Sequence, residues 1–237
     1  MDCLFILGAG TSVDSGLFTY RTEDKVFTPI SCYDSYECMW DHFSFLHKCI
    51  LNSFEGPTYK LLKEIVADTN SAVLTQNVDG YANKLQCEVI ELHGNMRNMY
   101  CMRCKKFKEI DPNNLICECG GKMRPDVILL DEPLSNEVIL EATHICKRNY
   151  KYVVIIGTTL QFPYLRKLIS LAKGRGAKVI HINPDPNYND SCITEKDTYS
   201  SLGKKLKVLN NVRKGEVWIQ KNSYEGLLEF ADTYLSN

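Results

Sequence analysis

The chain predicts a doubly wound α/β fold, a largely parallel sheet flanked by helices, with a small zinc-binding module and a small helical lobe. Three observations carry this. Short β-branched runs alternate with helical patterns along most of the 237 residues. Several runs are apolar at successive positions, which suits strands covered on both faces. The alternation breaks in two places, and one of them holds four cysteines at metal-ligand spacing.

Cys3–Leu7 reads as the first strand and runs directly into Gly8-Ala9-Gly10. The further strands are expected at Ala72–Thr75, Val89–Leu92, Val127–Leu130, Tyr152–Ile156, Val179–Asn183 and Val217–Ile219. Thr58–Asp68 carries Leu61, Leu62, Ile65 and Val66 on one helical face. Ser135 is placed to cap a helix bearing Val138, Ile139, Ala142 and Ile145. Pro163 opens a helix with Leu165, Leu168, Ile169 and Leu171 that ends near Gly174 and Gly176. Asn222, with Glu225 three residues on, caps a last helix with Leu227, Leu228, Phe230 and Ala231. The two breaks are residues 23–54, aromatic-rich and read as a helical lobe, and residues 98–124, read as the zinc-binding module. Residues 1–22, 55–97 and 125–237 form the main domain. The 98–124 stretch has little apolar periodicity and is too short to bury a core, so a metal is expected to organise it.

Composition narrows the function classes. Hydrophobic residues make up 44% and the net charge is −1, so no strong electrostatic hold on nucleic acid or anionic membrane is expected. Lys204, Lys205 and Lys207 read as a solvated loop face. No window approaches the roughly 18 apolar residues of a membrane span. The apolar start lacks a basic leader and is too short for a signal peptide. An odd count of eleven cysteines and a C-x-x-C pair point to an intracellular, reducing compartment, cytoplasm or nucleus, and to a metal rather than disulfides. The seven cysteines outside the cluster read as small buried apolar residues.

Four motifs carry chemistry. Gly8-Ala9-Gly10-Thr11-Ser12 follows a strand, where glycines let the backbone turn and approach a pyrophosphate; an ordinary strand-to-helix turn stays open, because Val13 departs from the dinucleotide fingerprint. Thr75-Gln76-Asn77-Val78-Asp79-Gly80 ends a strand and offers donors and acceptors to a sugar and an amide; a plain polar turn stays open. His93, in Glu91-Leu92-His93-Gly94, ends the next strand at the same sheet edge, which suits a general base. His42, His47, His144 and His181 have no such setting and read as structural. Cys101-x2-Cys104 and Cys117-x-Cys119, twelve residues apart, form a four-thiolate set with no open position, hence a structural zinc. The tight C-x-C predicts a more strained site.

In this order the motifs resemble the sirtuins, the NAD-dependent protein lysine deacylases. Gly8 to Gly16 with Tyr20-Arg21 resembles GAGxSxxSGIPxFR, Thr75–Gly80 matches TQNxDG, and Leu92-His93-Gly94 matches the catalytic histidine motif. The four cysteines, Arg124-Pro125-Asp126-Val127, Glu132-Pro133-Leu134, Gly157-Thr158-Thr159-Leu160 and His181-Ile182-Asn183 follow in family order. The resemblance implies a Rossmann-like NAD-binding domain, NAD as co-substrate, one structural zinc, and an acylated lysine peptide or protein as partner, with no nucleic acid or membrane involved. It assigns Gly8, Ala9, Gly10, Ser12, Tyr20 and Arg21 to the pyrophosphate side of NAD and Gln76, Asn77 and Asp79 to the nicotinamide ribose and carboxamide. Gly157, Thr158, Thr159 and Asn183 fall on the adenosine side. His93 is implied as the base, with Asn77 and Asp79 also catalytic. The implied products are free lysine, nicotinamide and O-acyl-ADP-ribose.

The family register, taken from Thr28-Pro29 and Trp40, puts Phe43 and Leu46 where sirtuins that take acidic acyl groups carry Tyr and Arg. A neutral acyl group, acetyl or longer aliphatic, is therefore expected. The chain departs from the pattern at Phe18, at Tyr20, in the short segment Thr22 to Phe27, at Leu130-Asp131-Glu132, at Thr159, and by one residue fewer before Pro163. These departures keep open an NAD glycohydrolase or ADP-ribosyltransferase, and a catalytically weak NAD or ADP-ribose-binding module.

Overall fold

A computed structural model describes residues 2–19, 21–22, 25–26, 35–67, 69–129, 132–184 and 215–236. Six parallel strands form the main sheet: β1 (Cys3–Leu7), β4 (Ala72–Thr75), β5 (Glu88–Glu91), β9 (Tyr152–Ile156), β10 (Lys178–Ile182) and β11 (Val217–Ile219). Their spatial order is β11-β10-β9-β1-β4-β5. The chain starts in the middle, winds outward to β5, then returns beside β1 and winds to the other edge. The reversal between β1 and β9 opens a crevice at the carboxyl ends of the strands, where doubly wound sheets take ligands.

Every residue of β1, β4 and β9 is buried. One face packs on α2 (Pro57–Ala67) and α5 (Ser223–Phe230) through Phe5, Tyr59, Leu62, Leu227 and Phe230. The other packs on α3 (Asn136–Cys146) and α4 (Pro163–Gly174) through Leu4, Ile6, Ile145, Leu165 and Leu168. The expected caps form: Ser135 accepts from the Val138 amide at 3.2 Å and Asn222 from the Glu225 amide at 2.9 Å. The start of α2 is capped at long range, by Asp14 accepting from the Thr58 amide at 2.9 Å.

Beyond β5 the structure differs from the expectation. Of the strand expected at Val127–Leu130, Val127 ends an antiparallel strand, residues 128–129 add no parallel one, and Leu130 lies outside the described residues. A three-stranded antiparallel sheet forms instead from β6 (Gly94–Cys101), β7 (Phe107–Glu109) and β8 (Met123–Val127), in the order β7-β6-β8. The chain turns out of the main sheet at Gly94, and β8 pairs back on it, Val127 opposite Gly94. This sheet extends past both ends of the 98–124 stretch. Nor does that stretch lack an apolar core. Met96, Met99, Ile110, Met123 and Val127 pack against Met39, Trp40 and Phe43 of α1 (Tyr36–Leu51). Each apolar side belongs to a different segment, so no window of sequence displays the cluster.

The helical lobe is thereby tied to the small sheet. Trp40 Nε1 donates to the Met123 carbonyl at 3.0 Å, and the Tyr36 hydroxyl donates to the same carbonyl at 2.6 Å. Ser35 caps α1 through the Cys38 amide at 3.1 Å. Two short strands, β2 (Arg21–Thr22) and β3 (Lys25–Val26), form a ribbon where the chain enters the stretch read as a helical lobe. Tyr20, Thr28-Pro29, Leu130-Asp131 and the lysine run at 204–207 lie outside the described residues, as do the side chains of Arg21 and Thr22. No helix among the described residues is long and apolar enough to cross a membrane.

Candidate active site and metal centre

Two loops meet at the crevice. Gly8 follows β1 and Gly157 follows β9; the Gly8 amide donates to the Ile156 carbonyl and the Gly10 amide to the Gly157 carbonyl, both at 2.9 Å. The approach is backbone on backbone. A Cβ on Gly8 would lie 2.4 Å from the Thr158 Cβ, and one on Gly10 would lie 2.7 Å from the Gly157 Cα. The glycines are thus required by the opposite loop. Ala9–Ser15 then forms a 3-10 turn whose N-cap, Gly8, contributes no side chain. An uncapped turn at the switch point has the donor chemistry that a pyrophosphate takes. Ser223 closes the far side, donating to the Gly10 carbonyl at 2.9 Å.

The Gln76–Asp79 segment reaches into the same crevice. Asn77 Nδ2 donates to the Gly8 carbonyl at 3.0 Å and to the Ser12 hydroxyl at 3.1 Å. Ser12 donates to Asp79 Oδ2 at 2.7 Å, and Asp79 Oδ1 accepts the Tyr81 amide at 3.0 Å. Tyr59, on α2, lies within 3.2 Å of Asn77 Nδ2 and 3.0 Å of Ser12 Oγ. Burial raises the Asp79 carboxyl above its usual range, against the Ser12 and Tyr81 donors that pull it down. Gln76 Nε2 donates to Thr158 Oγ1 at 2.7 Å, and Asn183 Nδ2 reaches the Thr158 carbonyl at 3.4 Å. One polar network therefore joins Gly8, Ser12, Asn77 and Asp79, and Thr158 joins Gln76 to Asn183.

His93 stands just past β5, two strands from the switch point. Its Nδ1 is 3.0 Å from the Gln76 carbonyl oxygen, which can only accept, so Nδ1 carries the hydrogen. Nε2 then accepts the Tyr164 hydroxyl, 2.5 Å away. Phe162 meets the ring edge-on with centroids 5.3 Å apart. Burial pushes the imidazole down to about 4, and the Gln76 carbonyl works in the opposite direction. Across neutral pH the ring is uncharged. His181, by contrast, is buried, bonded to Glu216 at 2.8 Å and stacked on Trp218 with centroids 4.0 Å apart, a structural setting.

The four cysteines converge. All four Sγ atoms lie within 4.8 Å of one another. Cys101 and Cys119 sulfurs are 3.5 Å apart, and those of Cys104 and Cys117 are 3.7 Å apart. A zinc tetrahedron with Zn–S of about 2.3 Å places its sulfurs about 3.8 Å from each other, so the set fits. The Cys104 amide, donating to the Cys101 sulfur at 3.4 Å, does most to hold that thiol down to about 6. A Cβ on Gly121 would stand 2.6 Å from the Cys101 sulfur, so the chain passes tightly over the ligands.

Sequence reasoning did not find Tyr59, Phe162 or Tyr164. Tyr59 sits in an apolar helix row like any core aromatic. Tyr164 is 71 residues from His93 and precedes the apolar row of its helix. Phe43, assigned to an acyl pocket, is buried at 3% exposure in the core shared with the small sheet, and Leu46 packs beside it.

Comparison with known proteins agrees with this architecture. The Sir2 family model matches residues 8–163. The chain is 33% identical over 196 residues to an NAD-dependent protein deacylase of Aeropyrum pernix, covering 76% of this chain and 80% of the relative. It is 30% identical over 224 residues to NAD-dependent protein deacetylase 1 of Geobacillus kaustophilus, covering 86% and 90%. Among solved structures, a Sir2 homologue in complex with 2'-O-acetyl ADP ribose aligns with a TM-score of 0.78 at 22% identity, over 99% of this chain and 92% of that one. A Sir2 complex with p53 peptide and NAD+ aligns at 0.72 and 20% identity, over 100% and 94%. These last two bear on the fold.

Proposed function

The chain belongs to the Sir2 family, and on that premise we propose that it removes neutral acyl groups, acetyl foremost, from protein lysine with NAD as co-substrate. The observation that carries the reading is the state of His93. Its Nδ1–H is committed to the Gln76 carbonyl, which leaves Nε2 as the proton acceptor at the crevice edge. When bound, NAD supplies a ribose carbon activated by nicotinamide as leaving group. The chain's own work is to hold, orient and deprotonate.

The uncapped Gly8–Ser12 turn, with Arg21, takes the pyrophosphate. Gln76, Asn77 and Asp79 take the nicotinamide end, exchanging some of their mutual hydrogen bonds for bonds to the ligand. Thr158, Thr159 and Asn183 take the adenosine side. His93 accepts a ribose hydroxyl proton at Nε2, and the Gln76 carbonyl stabilises the imidazolium through Nδ1–H. Burial that excludes water strengthens each of these contacts. Cys101, Cys104, Cys117 and Cys119 hold one structural zinc, which fixes the small sheet and through it α1. A reducing compartment suits this reading, because a four-thiolate zinc set requires that its cysteines stay out of disulfides.

Nicotinamide release with and without an acetyl-lysine peptide tests the reading. Release that requires peptide is expected. Release without it would make the protein a glycohydrolase, and none in either case would make it a binding module.

A further inference from the structure

The one acceptor that His93 offers is already in use. Nδ1 carries hydrogen, so a substrate hydroxyl can be deprotonated only at Nε2, and the single in-plane lone pair there accepts the Tyr164 hydroxyl at 2.5 Å. Two donors cannot share that lone pair in good geometry. We propose that Tyr164 is a gate on the base: its hydroxyl occupies the place of the substrate hydroxyl and must leave before His93 can act. This rests on His93 being the base.

The surroundings suit a part that swings. Tyr164 is the second residue of α4, after Pro163, and the N-cap Phe162 makes no side-chain cap. Phe162 stacks on Tyr164 with centroids 5.6 Å apart and also touches His93, so two aromatics from one turn cover the imidazole. The turn that delivers them is strained. Leu160 holds φ +52, a left-handed conformation unusual for leucine, pinned by its buried side chain and by its amide on Thr158 Oγ1 at 3.3 Å. Thr158 also binds Gln76, which holds the other nitrogen of His93. A ligand that engages Thr158 or Gln76 therefore acts on both the turn and the imidazole. Burial holds the phenol well above its usual range, so it stays a donor to Nε2.

Tyr164→Phe removes the hydroxyl and keeps the ring. In that variant the His93 titration, followed by imidazole 15N NMR, should move up by about half a unit or more, because the neutral ring loses its donor. In peptide deacylation kcat/KM should rise about threefold or more, chiefly through KM. The acid limb of kcat/KM should move up while that of kcat stays. In the wild type, NAD with acetyl-lysine peptide should shift the Nε2 resonance as the tyrosine leaves, a readout that needs no variant to fold. An unmoved titration, or an unmoved Nε2 resonance at saturating ligand, overturns the gate. So does a kcat about tenfold lower at unchanged KM, which is the mark of a proton relay through the phenol. A wild-type protein that binds NAD but deacylates nothing overturns the functional reading alone, and the NMR titration still decides Tyr164.

Discussion

The Asp126 carbonyl oxygen occupies the space in which a side chain at residue 94 would begin: a Cβ on Gly94 would stand 2.1 Å from it. Gly94 also holds φ +74. It is the point where the chain leaves the parallel sheet for the antiparallel one, directly after His93. The glycine thus fixes both the exit of the small sheet and the position of the imidazole.

Gly94→Ala should lower stability by about 3 kcal/mol or more, since the left-handed backbone and the clash with main chain add. Denaturant unfolding measures this. Because the neighbouring imidazole must shift with the main chain, turnover should fall by about tenfold or more in the fraction that folds.

His93→Ala should leave NAD binding close to wild type and cut deacylation by about 100- to 10,000-fold. The side chain lies at a strand end, outside the apolar clusters on both faces of the main sheet. Deacylation within about threefold of wild type would remove the base assignment.

One zinc per chain is expected by metal analysis. Stripping it should loosen the small sheet without erasing it, because the apolar cluster with α1 remains. Trp40 should report the event, since its Nε1 bonds the Met123 carbonyl at 3.0 Å, and Met123 lies directly opposite the zinc ligand Cys101 in the sheet register. In a Trp218→Phe background, chelation should red-shift the remaining tryptophan emission; an unchanged spectrum after zinc loss would show that the helix and the metal site are uncoupled.

The pH dependence has a definite sign. His93 is held down to about 4 in the folded state, against an ordinary 6.5. Between these values the unfolded chain binds a proton that the folded chain does not, so stability contributed here is complete above about 6.5 and is lost as pH falls toward 4. The acid limb of kcat/KM should likewise lie below 6.5. A limb above 7 would assign it to another group.

Acetyl-lysine should be preferred over succinyl-lysine in kcat/KM on one peptide. Phe43 is committed to the core and Leu46 is apolar, so this register offers no charged partner, and a carboxylate desolvated without one costs several kcal/mol. A succinyl preference would show that the acyl group binds against other residues.

The parallel sheet was legible because strands buried on both faces are written as unbroken apolar runs, as in Tyr152–Ile156. The caps at Ser135 and Asn222 were legible because capping is local. The small sheet was not. Its main strand reads Gly94-Asn95-Met96-Arg97-Asn98-Met99-Tyr100-Cys101, and its buried methionines meet a helix far back in the chain, Tyr36–Leu51. His93 was found from its place at a strand end, and the cysteines from spacing. The hold of Tyr164 on His93 left no trace in either local sequence, since hydrogen-bond partners that distant in the chain share no periodicity.

Gly10 and Gly157 meet through main-chain atoms alone. A mismatch between side chains can be repaired by trimming a neighbour, but here neither partner has anything to trim. The two positions therefore form a lock without a compensating mutation: a library randomising both together should return glycine at each, and second-site suppressors of Gly10→Ala should be absent among side-chain changes elsewhere in the crevice.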